Sequence, residues 1–181
     1  MKLVKPKPKA SPLPKQSTQE RVLDAAERLL AQGIPAFSMR DLAQEAALSF
    51  ATPFNQFGSK AAIMFALSAR RIAAMREQLA QATLPETTVE RVLAAVDIAS
   101  KVMLTAPGVN RAVMGAISGA TDEPGNVSLR SRALWAEALG DGVGLVAATR
   151  PLAMTVLPNQ LAVEFRGALS FWTAGNSRMN N

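Results

Sequence analysis

The chain has 181 residues, a net charge of +6, 49% apolar residues, and neither cysteine nor histidine. That length suits one domain or two small ones with a shared core, and the missing Cys and His exclude disulfides, Cys or His metal sites, Ser-His catalysis and an imidazole pH switch. Abundant Ala and Leu, 5% aromatics and no alternating Val/Ile/Thr-rich runs point to an all-α chain, and no apolar run reaches the roughly 18 residues a membrane-spanning helix needs.

Residues 1–16 read as a disordered arm. Lys2, Lys5, Lys7, Lys9 and Lys15 alternate with Pro6, Pro8, Pro12 and Pro14, a composition that buries too little apolar surface to fold. The start, MKLVKPKPK, has no apolar stretch after its lysines, so no signal peptide is expected. Such an arm either adds phosphate or minor-groove contacts or simply solubilises the terminus. Through residue 60 there are nine Lys/Arg against five Asp/Glu, a net of +4 out of the total of +6, which suits a polyanion-binding end joined to a more neutral body.

Ser17-Thr18-Gln19-Glu20 fits a capping box, and Val22, Ala26, Leu29 and Leu30 follow at helical spacing until Gly33. A helix over 18–32 is predicted, with Arg21 either near phosphate or merely exposed. Ser38-Met39-Arg40-Asp41 repeats the box ahead of a short helix ending near Ala46, whose apolar face is Met39, Leu42, Ala43 and Ala46. Ala47-Leu48 is the turn, with Ala where Gly would relax a left-handed backbone at a saving on the order of 1 kcal/mol. A second short helix leads to Ser59, which caps a third. Two short helices across a tight turn form a helix-turn-helix, whose second helix fits the DNA major groove.

The run from Thr18 to Leu67 resembles the N-terminal domain of the TetR family of bacterial transcriptional repressors. The matching features are the capped first helix, Phe37-Ser38 before Arg40-Asp41-Leu42-Ala43, Ser49 opening the recognition helix, Phe57, and Ser59-Lys60 opening the linker helix. The resemblance implies a three-helix DNA-binding domain over 17–60 and a helical ligand-binding and dimerisation domain over 61–181. It implies DNA contacts by Arg40, Ser49, Phe50, Ala51, Thr52, Phe54, Asn55, Gln56 and Lys60. Phe50 and Ala51 would touch thymine methyls, Gln56 can pair with adenine, Arg40 and Thr52 match base or phosphate positions, and Lys60 matches a phosphate-contacting lysine.

Two departures stand out. Phe54 occupies the position where the family usually has a phosphate-holding Tyr. Pro53 has no amide hydrogen and disfavours helical geometry at Thr52, so either Thr52 caps the recognition helix with Pro53 as its first residue, or Ser49 caps a helix with a strained start.

Beyond Ser59 a helix is predicted from Lys60 to about Thr83, with Ile63, Leu67, Ile72, Met75 and Leu79 inward and Arg70, Arg71 and Arg76 mostly outward. Further helices are expected from Thr87 or Thr88 to about Thr105, over Val109 to Ile117, and from about Ser128 to Ala148. Thr121 to Asn126 reads as an exposed loop, and Pro151 and Pro158 bracket an apolar but broken segment. A last helix carries Leu161, Phe165, Ala168, Leu169 and Trp172 and ends at Gly175.

The resemblance implies a homodimer on double-stranded DNA and a small-molecule effector, in the cytoplasm, with no membrane partner, no cofactor and no enzymatic activity. Met75, Met103, Met114 and Trp135, with Asn110 or Arg111 as polar contacts, are the candidate ligand site, for an apolar or weakly polar molecule. Leu161, Phe165, Ala168, Leu169 and Trp172 form either the dimer interface or intramolecular core. The ending FRGALSFWTAG resembles the family's penultimate helix with only Asn176 to Asn181 after it, so the usual last helix is expected to be short or missing. Rival classes are a helical lipid- or small-molecule-binding protein with a basic end, and a carboxylate enzyme, for which no close Asp/Glu pair sits in an apolar setting.

Overall fold

In the computed structural model, which describes residues 16–118 and 126–175, hydroxyl caps set where several helices begin. Helix α1 spans Thr18–Ala31, α2 Met39–Glu45, α3 Ala51–Phe57, α4 Lys60–Gln81, α5 Thr88–Thr105, α6 Pro107–Ile117, α7 Val127–Leu139 and α8 Arg150–Ala174, with no strand among the described residues. Ser17, Ser38, Ser59 and Thr87 each accept a first-turn amide. Only Ser38 completes a reciprocal box, because the Asp41 carboxylate accepts back from the Ser38 amide at 2.8 Å. That amide holds the Asp41 carboxyl below its ordinary value, so the box contributes at neutral pH and is lost as acid protonates it. The box expected at Ser17 is half made, since Glu20 turns instead to Arg70 at 2.6 Å.

Both helices of the first hairpin end in the same six-to-one and five-to-two hydrogen bonds. After α1, Ile34 donates to Leu29 and Gly33 to Leu30; after α2, Leu48 donates to Ala43 and Ala47 to Gln44. Gly33 takes the left-handed position at φ 76°, but Ala47 takes it at φ 51° with a Cβ in the way. Two arginines of α1 stabilise this strained corner. Arg21 Nη2 donates to the carbonyls of Ala46 and Ala47, each at 2.9 Å, and Arg28 bonds both the carboxylate and the carbonyl of Glu45. Arg21 thus holds the turn.

The core is one cluster running from Val22, Leu30 and Leu42 in the first helices through Ile63, Leu67 and Met75 of α4 to Val113 and Trp135. Helix α4 packs on α1 and α3 at one end and on α5, α6 and α7 along its length, while α6 touches both α1 and α8. Arg70 and Arg71, expected to point outward, face α1 instead. Arg70 bonds Asp24 and Glu20, both at 2.6 Å, and Arg71 bonds Glu27 at 2.7 Å. Glu20, Asp24 and Glu27 are spaced by four and three residues, which puts three carboxylates on the one face of α1 that meets α4. Burial disfavours the Arg70 charge, but these carboxylates outweigh it and raise its pKa.

Two more expectations change. Helix α7 stops at Leu139 rather than Ala148, because Gly140, Gly142 and Gly144 all adopt positive φ, and the following loop is tied to α5 by the bond from Thr88 N to Val143 O. The segment between Pro151 and Pro158 is not broken. Pro151 sits in the first turn of α8, where a missing amide costs nothing, and the helix runs on through Pro158, whose ring is buried. The lysine-proline arm, the loop Thr121 to Asn126 and the residues after Gly175 lie outside the described residues, apart from Gln16 and Asn126.

Ala47→Gly removes the Cβ that opposes a left-handed backbone and should raise the thermal midpoint by roughly 2–4 °C in a circular-dichroism melt, the shift expected for about 1 kcal/mol in a chain of this size. A lower midpoint would show that the corner is not strained.

Candidate nucleic-acid interface

Helix α3 has seven residues, none of them charged, and its placement depends on Pro53. The ring of Pro53 is the one side chain of α3 that is fully buried, and as third residue of the helix it lies in the first turn, whose amides have no intrahelical acceptor. The two starts weighed from the sequence give way to one between them. Phe50 is the capping residue without a side-chain cap, while Ser49 O accepts from Thr52 N at 3.0 Å and the two hydroxyls of Ser49 and Thr52 lie 2.7 Å apart.

With Pro53 inward, the opposite face turns to solvent. Phe50 and Phe54 are 62% and 61% exposed, and Ala51, Asn55 and Gln56 are exposed around them. Arg40, from α2, extends over the Phe50 ring with its guanidinium carbon 5.4 Å from the centroid. The arrangement therefore offers two phenyl rings, two amides and one guanidinium. Thr52 is half-buried with its hydroxyl engaged by Ser49, so it has less to offer than the sequence suggests.

Lys60 also differs from its simple reading as a phosphate ligand. Its ammonium donates to the carbonyls of Pro35 at 2.6 Å and Phe37 at 2.9 Å and sits 4.2 Å from the centre of the Phe37 ring. Burial pushes its pKa down. Two of three N–H groups thus close the loop between α1 and α2, leaving one for a phosphate beside the start of α4.

The C-terminal helices enclose a cavity of about 130 Å³. Met75, Met103 and Met114 line it, as expected, but Asn110 and Trp135 do not. Asn110 is buried and occupied: its amide donates to Met103 O at 2.7 Å near the end of α5, and its carbonyl accepts from Arg71 at 2.8 Å. Trp135 is buried edge-on against Phe165, with ring centres 5.4 Å apart. Sequence reasoning missed the polar wall, Ser68, Arg71, Ser131, Asn159 and Arg166. A signal existed in Ser68 and Arg71, three residues apart on the inward stripe of α4.

On α8, Leu161, Phe165, Leu169 and Trp172 are partly buried against the chain's own core, and Trp172 also stacks on Arg111 at 4.6 Å, so these four are intramolecular packing first. Ala168 alone of the five is exposed. The opposite face carries Leu152, Val156 and Val163, four and seven residues apart and all exposed.

Residues 22–67 match the family described as bacterial regulatory proteins, tetR family. The fold as a whole is similar to that of a TetR transcriptional regulator from Rhodococcus sp. RHA1, with 20% identity over 87% of this chain and 85% of that one and a TM-score of 0.69. Comparison with curated proteins finds no match. Residues 22–67 therefore resemble the TetR family, and the chain as a whole has a fold similar to that of a TetR regulator.

Because Lys60 closes the loop next to α2 as well as facing the outside, Lys60→Gln should lower both the thermal midpoint and the affinity for every DNA sequence, the latter about ten-fold and evenly across sequences. Gel-shift titrations against specific and random duplexes check this; an unchanged affinity for both would remove Lys60 from the interface.

Proposed function

We propose that the chain is a transcriptional repressor that binds a palindromic operator as a homodimer and is released by a small molecule held in the C-terminal cavity. The observation that carries the DNA part is the exposed α3 face, where two phenyl rings stand in solvent beside Arg40, Asn55 and Gln56. Exposing two adjacent phenyls at the end of a domain is unfavourable unless a partner covers them. A major groove does so, with thymine methyls against Phe50, Ala51 and Phe54, adenine edges for Gln56 and Asn55, and a guanine edge or phosphate for Arg40. Ser49 and Thr52 flank the backbone, and Lys60 with the lysine arm over residues 1–16 supplies phosphate affinity in place of the missing tyrosine hydroxyl.

On this reading residues 17–60 bind DNA and 61–181 bind the effector and dimerise. One helix of this size reads only a few base pairs, so useful specificity needs two copies related by a two-fold axis. The outward stripe of α8 with Leu152, Val156 and Val163 is the better candidate interface than the inward one predicted from the sequence. Met75, Met103 and Met114 remain the apolar wall of the effector site. No enzymatic step is part of this reading, and its setting is the cytoplasm.

Selection of bound duplexes from a random pool is the direct test. The expected product is a two-fold consensus rich in A·T steps, with a strong fall in affinity as salt rises. Arg40→Ala should weaken the selected site by roughly ten-fold while leaving random duplex nearly unaffected. Binding without sequence preference, or none, would instead favour a helical small-molecule- or lipid-binding protein with a basic end.

A further inference from the structure

The polar wall of the cavity has a sign. Among the residues that line it are two arginines, Arg71 and Arg166, and no aspartate or glutamate. Ser68 lies one turn before Arg71 on the same face of α4, is 7% exposed, and its hydroxyl has no hydrogen-bond partner among the described residues. That hydroxyl is not closed off inside the packed core, so an acceptor in the cavity can reach it. Arg71 spends Nε on Asn110 and one Nη2 hydrogen on Glu27, which leaves Nη1 for another acceptor. The remaining wall is apolar and soft, with Ile72, Met75, Met103, Met114 and Leu134. About 130 Å³ suits a molecule of a few carbons, close to the ~150 Å³ of a cavity known to take benzene.

Resting on the effector reading above, we propose that the effector is a small apolar monocarboxylate. Its carboxylate oxygens are taken by Ser68 Oγ and Arg71 Nη1, and its tail lies among the methionines. This adds a charged head group to the apolar or weakly polar ligand expected from the sequence, because Arg71 faces the cavity and α1 rather than solvent. The same head group also accounts for release from DNA. Arg71 links the cavity to α1 by its bond to Glu27, and a bound carboxylate competes with Glu27 for that guanidinium. When the ligand wins, the hold of α4 on α1 slackens and α3 loses its fixed position. Arg71 is thus both a ligand-binding and a positioning residue.

The probes are straight-chain acids from butanoate to octanoate, with the alcohols and alkylammonium ions of the same lengths, titrated calorimetrically into the full chain. At the best length the carboxylate should bind at least about ten-fold more tightly than the alcohol, and the ammonium should not bind. Ser68→Ala and Arg71→Gln should each erase that preference, with helicity checked for both, and Arg71→Lys should restore part of it. Glu27→Gln, which removes the competitor, should tighten carboxylate binding several-fold, an effect that loss of fold cannot imitate. The bound acid should weaken the selected operator in the wild type and not in Arg71→Gln. Equal binding of acid and alcohol would overturn the carboxylate while leaving the cavity as an effector site. Binding of neither would overturn both, and binding without loss of operator affinity would overturn the release mechanism.

Discussion

Two adjacent arginines on α4 tie it to α1 and so to the helix-turn-helix that packs on α1. Arg70 and Arg71 lie four-fifths buried between α1 and α4 and share Glu20, Asp24 and Glu27 between them. An isolated surface pair contributes little, about 0–1 kcal/mol, because water screens it and two side chains must be ordered for one contact. Here one ordering event serves several bonds and burial weakens the screening, so the network has more effect than its count of pairs suggests. Helix α4 also runs from the helix-turn-helix end to the cavity wall, and α6 touches both α1 and α8. The cavity and α1 are therefore joined through residues in direct contact.

The short helices depend on α1 in a second way. The turn after α2 places alanine in a left-handed conformation, and the strain is offset by Arg21 and Arg28, which bond the carbonyls that the end of α2 leaves open. Lys60 does the same for the loop before α2. Pro53 then decides the face of α3, because a buried ring in the first turn orients Phe50 and Phe54 to solvent. The resulting surface is poor in hydrogen-bond donors. It suits reading by methyl contacts and groove shape, within a frame set by phosphate contacts elsewhere.

Local chemistry made most of this legible. Ser17, Ser38, Ser59 and Thr87 announced their helices to within a residue, since a cap is decided by neighbours in sequence. The left-handed Ala47 was equally visible, because the bonding that closes a helix reaches only a few residues. Tertiary outcomes were less so. Arg70 and Arg71 read as solvent-facing because the stripe of carboxylates that receives them lies on another helix some fifty positions earlier. Trp135 and Asn110 read as ligand residues because apolar breadth and a lone amide look alike on a cavity wall and in a filled core. The inward stripe of α8 read equally as interface or as core for the same reason: periodicity says that a face is apolar, not what it meets. Pro158 read as a break, yet α8 runs through it.

The claim that Arg71 and Glu27 join the cavity to the DNA-binding end is tested most directly by a double-mutant cycle on operator affinity with Glu27→Gln, Arg71→Gln and the pair. Each single change should weaken operator binding, and the double variant should be no weaker than Arg71→Gln alone, a coupling of about 1 kcal/mol or more. Losses that simply add would contradict it, because the two side chains would then act on DNA binding independently.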